Sequence, residues 1–281
     1  MKTMFPEIRE LYRLADSLEE AFLRRNLRRL VKRLEEIKKL RSSKLVTPKS
    51  LKAIEERTKK AIREFAREFA KDSKKLQQAL YKNAWELQLR RLGIKATFQG
   101  IPQRSLRLID AGLTYMKNYT ADMVRIAQNE LAVAIMNGDS YERVINRLLE
   151  KIPSNGKRRI PVMARDQVGR VMQQASYDSL KSHEDRIAYY LWQNPLDEKT
   201  TIWCRNRVQL NPWPVDVVNE FIQSNPTTYK NLEITDPKTG TFLHPHIQCR
   251  SILTAISKSE VEEEGWTKSE IHKKFSAPKR F

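Results

Sequence analysis

Residues 186–213 read RIAYYLWQNPLDEKTTIWCRNRVQLNPW, and residues 242–251 read FLHPHIQCRS. Between Arg186 and Arg250 fall both cysteines (Cys204, Cys249), two of the four histidines (His244, His246) and three of the five tryptophans (Trp192, Trp203, Trp213). The run from Ile187 to Trp192 is the most strand-like in the chain. Successive side chains on a strand point to opposite faces. Ile187, Tyr189 and Leu191 therefore face one side, and Ala188, Tyr190 and Trp192 the other. Both sides are bulky and largely apolar, which predicts a strand covered on two faces. A closing strand is expected over Ile252, Leu253 and Ile256. Between the two strands the chain reads as loop with one short helix, Val215 to Ile222, and a turn at Asp236–Thr241 that can join two short strands.

Nearly everything N-terminal to this stretch has helical periodicity. Leu11, Leu14, Leu18, Phe22, Leu27, Leu30, Leu34 and Ile37 place one helix over residues 6–40. Thr47 as N-cap and Pro48 at the first helical position start a second, with Leu51, Ile54, Ile62, Phe65, Phe69, Leu76, Leu80, Ala84 and Leu87 on its inner face. Gly93 stops it. The pair predicts a long helical hairpin arm over residues 1–93. A third helix is expected over 102–137, with Leu106, Ile109, Leu113, Met116, Met123, Ile126 and Ile135 on its inner face. Asp139 and Glu142 start a short helix to Glu150. Pro153, Ser154, Asn155 and Gly156 read as a loop, and another helix runs over 161–181. The predicted fold class is mainly α: the hairpin arm, a helical region over 102–182, a small α+β part over 185–257, and a charged tail over 258–281 read as a docking tail or short helix.

The chain has 281 residues, 40% hydrophobic and 31% charged, with 8 glycines and a mean hydropathy of −0.64. So few glycines argue against a glycine-rich phosphate loop. No run approaches the ~18–20 apolar residues of a membrane span, and the N-terminus has no apolar signal core. A product made in the cytoplasm is expected. The formal net charge is +19, unevenly spread: residues 1–95 hold 27 Lys and Arg against 13 Asp and Glu. Such a field attracts polyanions, of which nucleic acid is the commonest. Arg24, Arg25, Arg28, Arg29, Lys32 and Arg33 form a basic stripe at helical spacing. Residues 57–75 add Arg57, Lys59, Lys60, Arg63, Arg67, Lys71, Lys74 and Lys75. Aromatic residues are not interleaved with the cations of residues 24–33, so phosphate contact to double-stranded DNA is expected there rather than base stacking.

Cys204, His246 and Cys249 carry metal-ligand chemistry, with His244 beside them. Zinc takes thiolates and imidazoles tetrahedrally, and His246-x-x-Cys249 is an acceptable ligand pair. The preferred reading of the same cysteines is a buried reduced pair, ahead of zinc, with a disulfide last because a cytoplasmic origin disfavours it. No catalytic residue is expected. A metal-dependent nuclease of the His-Asn-His kind would need a histidine pair with a following Asn and His, and that spacing is missing.

Taken in order, these residues resemble the C-terminal signature of the phage Mu F-like minor head, or head morphogenesis, proteins. In that family an aromatic strand precedes an Asp-x-(Arg/Lys)-Thr turn and a cysteine, and a His-x-x-Cys-Arg-Cys motif closes the domain. Here the strand is Tyr189–Trp192, the turn runs from Asp197 to Thr200, and the first cysteine is Cys204. The closing motif is His246-Ile247-Gln248-Cys249-Arg250-Ser251. Arg207 stands where the family often has a second cysteine, and Ser251 where it has a last one. The His-Pro pair comes two residues early, at His244-Pro245. Ala164-Arg165-Asp166-Gln167 occupies the place of an Ala-Arg-Thr-Glu, and the resemblance implies an internal salt bridge for Arg165. It also implies a minor capsid protein docked on the portal protein inside the virion and contacting packaged DNA during assembly or delivery, with scaffold or major capsid protein as further partners. The composition alone allows a basic helical adaptor that binds nucleic acid outside any virion.

Overall fold

The structure, a computed structural model, describes residues 4–39, 47–111, 114–194, 200–224, 233–236, 238, 240–246 and 248–276. The chain is mainly α-helical with one small sheet. Its described elements are α1 (Pro6–Lys38), α2 (Pro48–Arg91), α3 (Gln103–Ala111), α4 (Thr114–Asn137), α5 (Tyr141–Lys181), β1 (Ile187–Gln193), α6 (Ile202–Gln209), α7 (Val215–Ser224), β2 (Ile252–Ser257), α8 (Lys258–Glu264) and α9 (Lys268–Phe275). Among the described residues, no helix is long and apolar enough to cross a membrane.

The caps fall where the local chemistry puts them. Ser50 N–H donates to Thr47 Oγ1 at the start of α2. Gly93 ends that helix with φ +66, the left-handed value that glycine adopts most readily. All nine apolar positions named above for α2 are buried. In α4 Met123 is buried as expected, together with Tyr119, Ala127, Leu131 and Ala134, while Ile126 is half-buried and Ile135 is 59% exposed. Alanines carry this face, and a reading weighted to large side chains passes over them.

α5 departs most from expectation. It continues unbroken through Pro153 and Pro161, where a loop and a new start were predicted. A proline inside a helix loses a hydrogen bond and crowds the preceding turn. Packing offsets that cost here, since Ile152, Ile160, Ala164 and Val168 are all buried. Gly156 permits a close approach, because a Cβ there would lie 2.6 Å from Leu30 Cδ2 and 2.8 Å from the Tyr119 hydroxyl.

By packing, the chain divides into two units. One comprises Leu18–Leu76 and Asp110–Ala164, the other Met1–Ser17, Gln77–Ile109 and Arg165–Phe281. The division does not fall at residue 93. In the first unit α1 and α2 pair as an antiparallel hairpin, with Phe22 and Phe69 edge-on at 5.0 Å. The hairpin also takes on α4 and the first half of α5, through Gln128–Glu55 at 3.1 Å and the Leu30–Gly156 approach.

In the second unit β1 and β2 pair antiparallel, Trp192 opposite Leu253 and Tyr190 opposite Ala255. Two strands alone are marginal in water, and both faces are indeed covered. Tyr190, Trp192, Leu253 and Ala255 pack with Trp213, Val218 and Phe242, and Leu191 and Ile256 pack with Ile271 and Phe275. The register shifts between Ile187 and Tyr189, so Ile187 joins the Tyr190 side rather than the Leu191 side. The outer edge of β1 is closed too. Tyr190 and Trp213 exchange backbone hydrogen bonds at 2.9 Å, and the Asn211 side chain both accepts from Trp192 N–H and donates to its carbonyl at 2.8 Å. The described part of the charged tail forms two short helices, and on α9 Ile271 and Phe275, one turn apart, are both buried. No strand flanks the Asp236 turn among the described residues; Gly240 N–H simply closes it on Asp236 O at 2.9 Å.

Candidate functional site

Thr201 caps α6, and its hydroxyl accepts from Cys204 N–H. The cap fixes Cys204 on the first turn, facing the segment that leads into β2. That segment supplies His246 and Cys249. Cys204 Sγ lies 3.0 Å from His246 Nε2 and 3.6 Å from Cys249 Sγ. All three residues are buried, and their ligand atoms lie within 4.8 Å of one another. Both cysteines are free thiols. Hydrogen bonding from Cys249 and from His246 holds the Cys204 thiol well below its ordinary pKa. Burial pushes Cys249 up. The cluster thus sets two sulfurs and one imidazole nitrogen together, a donor set able to hold a soft or borderline metal ion such as zinc.

α5 forms the back wall. Gly169 lies against the Cys249 carbonyl so closely that a Cβ would clash with it. One turn on, Gln173 donates to Ser251 O at 2.7 Å and to Cys249 Sγ at 3.3 Å. One turn back, Asp166 accepts from Gln248 N–H at 3.1 Å and from Arg170 Nε at 2.8 Å. Its Oδ1 is 3.4 Å from His244 Nε2. Burial keeps His244 neutral, its pKa well below the usual range. His244 therefore belongs to the Asp166 wall, and not to the three-ligand cluster. From α1, Tyr12 donates its hydroxyl to the carbonyls of Arg250 and Gln193.

Arg207 completes the centre, and its residue type gives no sign of this buried role. It is fully buried. Its guanidinium donates to the carbonyls of Ile234, Phe242 and Thr241 and lies over the rings of Trp192 (4.4 Å) and Phe242 (4.7 Å). The side chain is a clamp that ties α6 to the loop before β2. The only available signal was its place one helical turn after Cys204.

The other expected residues divide. Trp192 is a core anchor with no exposure. Thr200 is partly buried and precedes the cap, and Asp197 lies outside the described residues. Arg165 is 3.6 Å from Asp16, but Asp166 beside it makes the contacts to the closing motif.

The basic stripe of α1 also divides. Arg29 reaches Asp72 at 2.6 Å with Arg25 at 3.4 Å from the same carboxylate, and Arg33 pairs with Glu64 and Glu68. Arg24 pairs with Glu20, while Arg28 and Lys32 are exposed. Three of the six cations are thus engaged across the α1–α2 seam. No family model, curated protein or solved structure matches this chain.

Proposed function

We propose that this chain is a minor head component of a phage, docked on the portal inside the capsid and in contact with packaged DNA. One observation carries the reading. Cys204 and Cys249, motif residues of the Mu F-like resemblance, lie 45 positions apart in the chain, yet they meet at one buried centre beside β1 and β2. Cys204, His246 and Cys249 meet there, with Gly169, Gln173 and Arg207 fitted around them. Residues kept in order for a common structural reason are what a family signature consists of. Arg207, Gln173 and Tyr12 direct donors at backbone carbonyls around the centre, a packed arrangement that suits a docking module. The test is to mix the purified protein with its cognate portal protein and size the mixture by light scattering. A complex larger than the portal ring is expected. A portal ring of unchanged mass, with all of this chain eluting separately, would refute the proposal and leave the basic-adaptor reading.

A further inference from the structure

Between Arg57 and Lys75, α2 sorts its charges by face. The acids Glu64, Glu68 and Asp72 recur every four residues and turn inward, where Arg33, Arg29 and Arg25 meet them. Every exposed position in the same span is basic: Arg57, Lys60, Arg63, Arg67, Lys71, Lys74 and Lys75. Among the described residues, no ion pair involves any of these seven. Lys60, Arg63, Arg67, Lys71 and Lys74 recur at three- and four-residue intervals, so they form one ridge about 21 Å long at ~1.5 Å rise per residue. The aromatic residues of the span, Phe65 and Phe69, are buried in the seam.

We infer that this ridge of α2 is a phosphate-binding surface for double-stranded DNA, and that the arginine stripe of α1 is mostly internal structure. An unneutralised row of cations on a straight helix meets a duplex backbone, whose charges repeat every ~3.4 Å along each strand. The exposed face has no aromatic ring for stacking unpaired bases, which disfavours a single strand. It has no Asn or Gln between Arg57 and Lys75 to read base edges, so binding is indifferent to sequence. The inference shares with the proposed function only the expectation of DNA contact. Portal docking can fail while this binding succeeds, and the reverse.

The test is an anisotropy titration of the full chain with a labelled DNA duplex at several salt concentrations. Two variants are compared with the parent: Lys60→Gln/Arg63→Gln/Arg67→Gln/Lys71→Gln, and Arg25→Gln/Arg29→Gln/Arg33→Gln. Gln retains helix propensity close to that of Lys and Arg, so the first variant should fold with an unchanged melting midpoint. It should bind about 100- to 1,000-fold more weakly near physiological salt, with the log K–log salt slope flattened by about 2–4 units. The second should melt earlier but keep most of the slope. As a check that needs no variant, bound duplex should protect Lys60, Lys71 and Lys74 of the parent protein from acetylation. Equal slopes for the parent and the first variant, unprotected lysines, or tighter binding to an RNA duplex than to DNA would each overturn the inference.

Discussion

Arg207→Met keeps the stem of the side chain and deletes every donor, so it isolates what the clamp contributes. The buried guanidinium holds the carbonyls of Ile234 and Phe242 closely and that of Thr241 at 3.5 Å. Charge-assisted hydrogen bonds of this kind are worth about 1.5–3 kcal/mol each, and the two close ones dominate. Cation–π contact with Trp192 and Phe242 adds about 0.5–2 kcal/mol. Against this, methionine no longer buries a charge, which recovers part of the sum. The net expectation is a loss of about 3–5 kcal/mol from the unit that contains the sheet. Trp192 and Trp213 lie in the same core cluster, so urea unfolding followed by tryptophan fluorescence reads it directly. Arg207→Lys should fall between, because one ammonium cannot reach three carbonyls spread around the edge of the guanidinium. A loss below about 1 kcal/mol for Arg207→Met, with an unchanged denaturant slope, would refute the clamp.

Trp192→Ala empties the centre of the same core and should cost roughly 3–5 kcal/mol, measured by the same unfolding curve. Cys204→Ser should cost about 1–3 kcal/mol. If the cysteines serve as a plain thiol pair, a chelator leaves the melting midpoint of the parent unchanged, whereas one equivalent of zinc in elemental analysis would mean the cluster is a metal centre. Gly169→Ala drives a Cβ into the Cys249 carbonyl and should lower stability by about 1–3 kcal/mol, with thiol labelling of Cys249 accelerated as the closing segment is displaced. Acid should weaken the helical unit. Hydrogen bonds from Lys59, Arg33 and Arg159 hold Glu55, Glu68 and Asp122 below the usual carboxylate range. Depressed carboxylates stabilise above their unfolded pKa of about 4, and that contribution is lost as pH falls through their folded values. The helical circular dichroism midpoint should therefore drop below about pH 4, and a midpoint flat from neutrality to pH 3 would refute this assignment.

Much of the architecture was legible in the order of residues, because local rules govern it. Helical spacing placed the inner face of α2, Thr47 and Gly93 marked its ends, and alternation marked β1 as a strand with two covered faces. The two strands and the three-residue cluster followed from residue types that have few other uses when apolar, aromatic or metal-binding groups are concentrated in one stretch. The rest depended on pairings between distant segments. Pro153 ends a helix on local propensity, and α5 crosses it because Leu30 and Tyr119, far along the chain, pack against Gly156. Arg25, Arg29 and Arg33 look like any exposed basic stripe until Asp72, Glu68 and Glu64 are brought opposite them. The same pairing leaves the outer face of α2 basic, which charge counting over residues 1–95 cannot resolve into faces. Arg207 is a charged residue that composition assigns to the surface. Only the fold supplies the backbone carbonyls and aromatic rings that make its burial favourable, since desolvating a cation requires partners drawn from segments some 30 positions away.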